Sequence, residues 1–401
     1  MKKRNLLLGV VLLADYSAQA VSSPYEGSVA GEGVYYLYQV ETGQWLESNK
    51  KFINTWTTHA EIDDTGIDIE LKKPDGFAGY QIWMNYTQNG SLNGANRARF
   101  YFDTNRELTD WIFEPVTVEG VSNAYKIMTK AKTEGVSDDN KITADFYIGA
   151  DANGVFSDAP TQTTWQLVSR EERMRVVKEQ VKAGNGPVDV SWLLPWWQID
   201  RNNLRDRQWV KNTVNAYGGG DGFNGKEGYP VKEFWHMITT RYSYTFEDLP
   251  AGTYGFSVQG YYRDTAAPDN DDNREAGEAL VQRYLNGTEV LRAKYFAGAE
   301  RGTIMSIFQD AKTESADGYT LEIPAAGKWL PNSMNDASFA MINGAYKNDY
   351  LEVGVADGKL TVGFEKNEAD WHDWLIIGRF YLTYIGEEVK GEDLTGLQKD
   401  L

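Results

Sequence analysis

Cysteine is absent from the 401-residue sequence, and histidine occurs only three times. Without cysteine the chain has no disulfide scaffold, no cysteine-ligated zinc, no iron–sulfur cluster and no thiol nucleophile. Basic residues are also scarce, because 40 Lys and Arg stand against 58 Asp and Glu, for a net charge of −18. Nucleic-acid affinity depends mainly on cations that neutralise phosphates. We therefore expect no nucleic-acid partner.

Long apolar runs are missing as well, and the apolar run near the start of the chain is short. Basic residues 2–4, an apolar run from Leu6 to Ala14 and the small-residue sequence Ala18-Gln19-Ala20 are the three parts of a secretory signal. The apolar run falls well below the roughly twenty residues that span a bilayer. The pattern predicts a signal peptide at residues 1–20, no membrane span, and export to the periplasm, the cell surface or the medium.

Aromatic residues make up 13% of the chain, and in its first half they recur at a constant interval. The segments that begin at Tyr35, Tyr80 and Tyr125 alternate like β-strands and lie 45 residues apart. Three similar units of short strands predict a pseudo-threefold barrel closed by hairpins. Trp111 and Trp165 begin segments that we expect to be the buried closing strands of the later units.

This half of the chain, residues 25–168, resembles the ricin-type β-trefoil, whose units often end in a Gln-x-Trp sequence. The corresponding sequences here are Thr109-Asp110-Trp111 and Gln162-Thr163-Thr164-Trp165. The resemblance implies a β-trefoil-like domain.

Residues 169–186 have a helical pattern instead. Ser169 and Glu172 have the spacing of a capping box, and Met174, Val177 and Val181 form one apolar stripe. A Gly- and Pro-containing stretch then ends the pattern. We expect a linker helix between two domains.

Strands return between residues 187 and 386 at irregular spacing, which is typical of a β-sandwich or jelly roll. The sequences Leu249-Pro250-Ala251-Gly252 and Asn286-Gly287 each predict a hairpin turn. Residues 249–254, 260–263, 357–363 and 380–386 look like the galactose-binding-like jelly rolls of exported bacterial proteins, a fold that many carbohydrate-binding modules share. The resemblance implies that fold and, by analogy, carbohydrate binding. The sequence thus predicts an all-β protein of two domains, followed by an acidic tail at residues 387–401.

Motifs for catalysis and for cofactors are largely missing. No His stands in H-E-x-x-H, no G-x-S-x-G elbow occurs, and the G-x-G-x-x-G within residues 218–225 lacks a following helix. Asp269 and Asp271 copy the first ligands of a calcium loop, but Arg274 takes the place of its required Gly. This acidic loop is a candidate for an irregular structural calcium site or a solvated run of charge, and we expect no other cofactor.

Tryptophans outside the alternating strands are the remaining signal. Flat apolar faces beside polar groups suit sugar rings, which present C–H bonds on one face and hydroxyls at the edge. We expect Trp192, Trp209 and Trp374 to be buried in the core. The predicted glycan site combines stacking platforms with polar hydroxyl contacts: Trp196, Trp197 and Trp371 with Asp200, Asn202 and Asp373.

The resulting hypothesis is an exported, non-catalytic protein that binds a polysaccharide or a glycoconjugate. One alternative is a cell-surface protein for adhesion or protein–protein interaction. Another is a glycoside hydrolase, or the accessory modules of one, because a catalytic carboxylate pair can be neither located nor excluded from sequence alone.

Overall fold

The computed structural model describes residues 22–47, 52–54, 57–84, 90–94, 100–103, 109–135, 141, 144–150, 163–195, 208–215, 223–226, 229–268 and 274–389. These residues form an all-β protein with a few helices, as the sequence predicts. Several sequence predictions fall outside the described residues: the signal peptide, Trp196, Trp197, Asp200, Asn202, Asp269, Asp271 and tail residues 390–401.

The first half of the chain forms one continuous antiparallel sheet. Its strands are short, as expected for hairpin-closed units. Their bounds are β1 Gly33–Gln39, β2 Gln44–Glu47, β3 Phe52–Asn54, β4 Thr57–His59, β5 Glu61–Asp63, β6 Asp68–Lys72, β7 Gln81–Met84, β8 Ser91–Asn93, β9 Tyr101–Asp103, β10 Ile112–Val118, β11 Val121–Thr129, β12 Phe146–Tyr147 and β13 Trp165–Val168.

Six of these strands close into a ring. Strands β1, β6 and β7 pair in that order, a bridge between Tyr80 and Trp111 joins β7 to β10, and β10, β11 and β13 lead back to β1. Tyr35, Tyr80 and Tyr125 therefore stand on or beside alternate strands of the ring. This closed ring agrees with the barrel that the 45-residue repeat predicts, while the finer trefoil assignment stays a prediction.

Aromatic side chains fill the ring in a repeated way. Trp111 and Trp165 are fully buried, and each indole N–H donates to a backbone carbonyl, that of Leu92 at 2.9 Å and that of Ile148 at 3.1 Å. The prediction of buried closing residues is confirmed for both. Because a buried indole needs a hydrogen-bond acceptor, these bonds fix the hairpins against the ring.

The predicted linker helix is present as α1, Arg170–Lys182. The Ser169 hydroxyl accepts the Glu172 backbone N–H at 3.1 Å, so the N-cap is confirmed. The Glu172 carboxylate does not complete a capping box and instead accepts the Gly27 N–H at 3.1 Å. Met174 and Val177 are buried in a core that continues into both halves, so α1 packs between the two halves rather than spacing them apart.

The described part of the second half contains the remaining strands and two α-helices. Their bounds are β14 Val188–Asp189, β15 Val210–Asn215, β16 Phe223–Lys226, β17 Tyr229–Trp235, β18 Ile238–Phe246, β19 Gly252–Arg263, α2 Arg274–Leu285, β20 Ala293–Ala297, β21 Glu300–Thr303, β22 Leu321–Ile323, β23 Lys328–Leu330, α3 Met334–Ile342, β24 Leu351–Val355, β25 Leu360–Lys366 and β26 Trp374–Gly386.

Two antiparallel sheets make this half a β-sandwich. One sheet runs β16-β17-β26-β19-β24 with β14 beside β26, and the other runs β15-β18-β25-β20-β21. Aromatic side chains from both sheets pack together in the space between the sheets. The rings of Phe364 and Phe380, for example, have centroids 5.9 Å apart. Met341 of α3 packs with Tyr261 and Ile376 on the outer face of the first sheet. All twelve residues of β19 are therefore buried.

Both hairpin turns predicted in this half are wrong. Residues 249–252 join β18 to β19, which belong to different sheets, so the chain crosses the sandwich there. Asn286 and Gly287 end α2, and Gly287 has the left-handed φ of 64° that is common just past a helix. Residues such as Gly, Pro and Asn reverse the chain in hairpins, in crossings between sheets and after helices, so local sequence does not distinguish these three cases.

None of the described helices combines the length and apolar character that a membrane crossing needs.

Candidate functional site

An open cleft of about 440 Å³ lies at one end of the first sheet of the sandwich. Trp374 begins β26 and stands opposite both Trp235, the last residue of β17, and Arg263, the last residue of β19. The first turn of α3 and the loop before β26 complete the walls. We call this site the aromatic cleft, and its lining residues are Glu233, Trp235, Arg263, Ala266, Asn332, Ser333, Met334, Asn335, His372 and Trp374.

Four aromatic side chains form a cluster at the side of the cleft. The His236 ring lies 4.3 Å from the Trp371 ring and 4.9 Å from the His372 ring, and the Trp235 ring lies 5.1 Å from His236. Trp371 is 55% exposed, whereas His236 is buried. The cluster thus leaves the Trp371 indole exposed to solvent, with the buried His236 ring packed against it.

The backbone of this cluster is strained. His236, Met237 and His372 have φ values of 61°, 58° and 61°, in the left-handed region that residues other than glycine rarely occupy. The left-handed conformation costs roughly 1–2 kcal/mol per residue, and such residues tend to cluster at functional sites. His236 and Met237 form the two-residue link between β17 and β18, while His372 precedes β26 by two residues.

Asp373 belongs to the same loop as Trp371, but its side chain is fully buried. Its Oδ1 accepts a hydrogen bond from the Lys366 ammonium at 2.9 Å. Its Oδ2 accepts hydrogen bonds from the Tyr262 hydroxyl at 2.8 Å and from the Asp370 backbone N–H at 3.1 Å. The expected role of Asp373 as a sugar-hydroxyl contact is wrong in this structure, because protein groups occupy both oxygens. Asp373 instead positions the loop.

The Lys366–Asp373 ion pair is buried on both sides, with each side chain 0% exposed. Desolvation lowers the pKa of Lys366, and the Asp373 carboxylate opposes that shift. Desolvation and the same carboxylate raise the pKa of Tyr262, which stays a neutral donor. A buried pair of this kind is costly to break, because removing one partner leaves an uncompensated charge.

A second ion-pair group ties the loop to the rest of the sandwich. The fully buried carboxylate of Asp264 pairs with Arg283 of α2 at 2.8 Å and with Arg292 at 2.7 Å. Arg292 also pairs with Asp370 at 3.0 Å. The loop before β26, residues 367–373, is therefore held at two of its residues, Asp370 in its middle and Asp373 at its end.

Polar side chains line the cleft together with the aromatic ones. The Arg263 guanidinium lies over the Trp374 ring at 4.8 Å and donates to the Asn332 side chain at 3.3 Å. The Trp374 indole donates to the Glu233 carboxylate at 2.9 Å. Ser333 and Asn335, at the start of α3, are exposed in the cleft wall. The cleft thus presents donors, acceptors and ring faces together.

The structure brings only part of the predicted site together. Trp371 and Asp373 lie in one loop, and the other four predicted residues lie outside the described residues. The described ends of their segment, Pro195 and Gln208, line a smaller cleft of about 190 Å³ with Tyr36 and Arg170, between the two halves of the protein. Proximity of Trp196 to Trp371 stays a prediction.

The three tryptophans expected in the core are confirmed there. Trp192, Trp209 and Trp374 are 6%, 4% and 4% exposed. Trp209 stacks on Phe380 with ring centroids 4.8 Å apart. Trp374 belongs to the core and also lines the cleft, so burial of most of a ring does not exclude it from the site.

Sequence reasoning missed Trp235, His236 and Arg263 as parts of the site. Trp235 and Arg263 end alternating strands, and such positions are usually structural. His236 and His372 are 136 residues apart, and only the pairing of β17 with β26 brings them together. One signal existed in the sequence, because two of the three histidines each follow a tryptophan directly.

The described residues contain no cluster of three or more His, Asp or Glu side chains that could hold a metal ion. No family model and no curated protein matches the chain.

Solved structures give only weak similarities. A salivary protein from Culex quinquefasciatus of the Cysteins and Tryptophan-Rich family is 11% identical, with a TM-score of 0.26 over 36% of this chain and 97% of that one. An exo-beta-1,3-galactanase from Phanerochaete chrysosporium, solved with beta-1,3-galactotriose, is 7% identical, with a TM-score of 0.22 over 89% of this chain and 69% of that one. Similarity at this level supports no inference about function.

Proposed function

We propose that this protein binds a glycan, from a polysaccharide or a glycoconjugate, in the aromatic cleft and does not cleave it. The observation that carries the proposal is the exposure of Trp371 beside a cleft that also presents Trp235. Trp371 is the exposed aromatic ring of that cluster, and burying it against a sugar face removes apolar surface from water.

The cleft has the size and composition of a small-ligand site. Its volume of about 440 Å³ lies within the roughly 300–1,000 Å³ typical of such sites. Ring faces beside amide, hydroxyl and charged groups are the combination that a sugar needs, because its hydroxyls require directed hydrogen bonds. Ser333 and Asn335 supply such groups from one wall, and Glu233 and His372 from the other.

Binding is favoured over hydrolysis by the carboxylates of the cleft. Glycoside hydrolases generally use two carboxyl groups that flank the scissile bond. Glu233 is the only carboxylate among the described residues that line the cleft, and it accepts a hydrogen bond from the Trp374 indole N–H. A concave site with polar walls also suits a glycan better than the broad apolar patch that a protein partner would use.

Export is part of the same proposal and rests on the signal-peptide pattern of residues 1–20. A glycan-binding protein outside the cytoplasm would meet polysaccharides and glycoconjugates directly. Detection of the protein in extracellular or periplasmic fractions tests this part.

A glycan array probed with the full chain, with and without calcium, tests binding and gives the ligand for titration. We expect Trp371→Ala to weaken that binding about thirtyfold, since a central tryptophan of a binding site often contributes about 2 kcal/mol or more. Tyr350→Ala is the matched control, because Tyr350 is a similarly exposed aromatic residue, 49% against 55%, away from the cleft. Absence of binding to any glycan, or equal binding by Trp371→Ala and the wild type, would overturn the proposal.

A further inference from the structure

The loop that presents Trp371 is joined to the β17–β18 link through one hydrogen bond between histidines. The backbone N–H of His372 donates to Nδ1 of His236 at 3.3 Å. The His236 backbone N–H donates in turn to the carbonyl of Asp373 at 2.9 Å. The two strained segments thus hold each other in place.

This bond depends on the protonation state of His236. A ring nitrogen accepts a hydrogen bond only while it carries no proton, and both nitrogens of a charged imidazole are donors. Protonation of His236 would therefore place two N–H groups against each other. It would also put a positive charge 4.9 Å from the His372 ring.

The charged groups around His236 come from β17, β19, β25 and the loop before β26, and each has a partner. Asp373 pairs with Lys366 of β25, Asp370 pairs with Arg292, and Glu233 of β17 accepts the Trp374 indole. Arg263 of β19 lies across the cleft and donates to Asn332. Histidine is the side chain whose charge ordinarily changes between about pH 5 and 8.

We propose that His236 is a positioning residue that makes glycan binding dependent on pH: its neutral ring holds the Trp371 loop in the binding geometry, and protonation releases that loop. This inference rests on the proposed function of the cleft. The Trp371 ring packs edge-on against the His236 ring at 4.3 Å. If His372 and His236 separate, the Trp371 ring therefore moves as well.

Titration of the array-identified glycan at pH 8 and pH 5 gives the first test. We expect wild-type affinity to fall about tenfold at pH 5, because affinity scales with the fraction of protein whose loop is competent to bind. Unchanged affinity would overturn the inference while leaving the proposed function intact. Absence of binding at both values would instead overturn the proposed function.

His236→Asn separates the hydrogen bond from the presence of a ring. Asparagine tolerates left-handed φ and offers a side-chain oxygen near the position of Nδ1 that does not titrate in this range. We expect this variant to bind equally at pH 8 and pH 5. His372→Asn is the matched control, since its backbone N–H remains and the pH response should persist. Loss of the response in His372→Asn and its persistence in His236→Asn would overturn the assignment to His236.

A measurement without ligand tests the same bond directly. Hydrogen exchange of the peptide that contains His372, corrected for intrinsic rates, reports whether its N–H is bonded. We expect protection at pH 8 that falls at pH 5 in the wild type and does not fall in His236→Asn. Equal protection at both pH values in the wild type would overturn the inference whatever the glycan result.

Discussion

Tryptophan is used in opposite ways in two regions of this protein. Between the two halves of the molecule, Trp45, Trp192 and Tyr36 surround Arg173 of α1, with ring centres 3.8, 4.3 and 4.7 Å from the guanidinium carbon. At the aromatic cleft, Trp235 and Trp371 stand beside two histidines and open space. The first cluster, which we call the junction cage, is buried, whereas Trp371 is 55% exposed.

The difference lies in what the chain places between the rings. Arg173 is 3% exposed and donates to the Thr65 carbonyl at 2.8 Å, so the cage already contains a cation. Burial lowers the pKa of Arg173 to about 10. The cleft has no comparable side chain over the Trp371 face among the described residues. Aromatic residues are therefore enclosed where the chain supplies their partner, and Trp371 stays exposed where it does not.

The largest expected contrast is between a tryptophan of the cage and the tryptophan of the cleft. Trp192→Ala should destabilise the protein by about 4 kcal/mol, because it leaves a cavity and removes a ring from Arg173. Trp371→Ala should change the free energy of unfolding by less than about 1 kcal/mol, as exposed substitutions usually do. Urea unfolding of both variants measures this, and similar losses would contradict the distinction between the two regions.

Substitution of Asp373 tests whether the buried Lys366–Asp373 ion pair stabilises the fold. Asp373→Asn should destabilise by about 3 kcal/mol, because the buried Lys366 ammonium loses its counter-charge. Adding Lys366→Met to that variant should recover part of the loss, since the two residues act as a pair. The control is Glu179→Gln, which removes the exposed partner of Arg175 and should cost no more than about 0.5 kcal/mol. Additive losses in the double variant would show that the pair is not coupled.

Alkaline pH should act beside the junction cage, at Tyr25, just as acid should act on the cleft. Burial raises the pKa of Tyr25, which packs on Tyr38 and Trp45, from 10.0 to about 12. The unfolded chain then loses this proton first, so the free energy of unfolding falls as pH rises from 10 to 12, by up to about 2.7 kcal/mol from this residue. Tyr25→Phe keeps the ring and should make the decline shallower in unfolding measurements at pH 9, 10 and 11. An identical decline in the variant would assign the effect to other tyrosines.

The smallest expected effect concerns the helix that carries Arg173. Ser169→Ala removes the side-chain acceptor at the start of α1 and should cost about 1 kcal/mol, while Ser169→Asp keeps an acceptor and should cost less. Glycan affinity at the cleft should not change in either variant. Thermal unfolding and the glycan titration together check this, and a loss of binding would show that the cage and the cleft are coupled.

Patterns within short segments predicted much of the fold. The 45-residue spacing of Tyr35, Tyr80 and Tyr125 predicted three similar units, and those residues stand at alternate strands of the ring. Ser169 predicted the start of α1 correctly. Such features depend on neighbours in the chain, so local sequence is sufficient to identify them.

The candidate site was less predictable, for reasons visible in single residues. Trp371 was identified because it stands in a loop before a strand. Asp373, two residues later, was expected to face a ligand, but Lys366 and Tyr262 enclose it. Residues 249–252 have good turn chemistry, but they cross between sheets. Strand β18 pairs with β25 and β19 pairs with β26, and each of these partners lies more than a hundred residues away.

The sequence by itself determined that this protein is built mainly from β-strands and that a capped helix begins after Ser169, since side-chain alternation and capping residues act over a few positions. Tertiary structure alone decided which aromatic residues would come together at the cleft. That choice depends on the pairing of β17 and β19 with β26, which places Trp235, His236 and Arg263 beside Trp371 and His372. Strand pairing is set by the whole packed core, and no local pattern contains it.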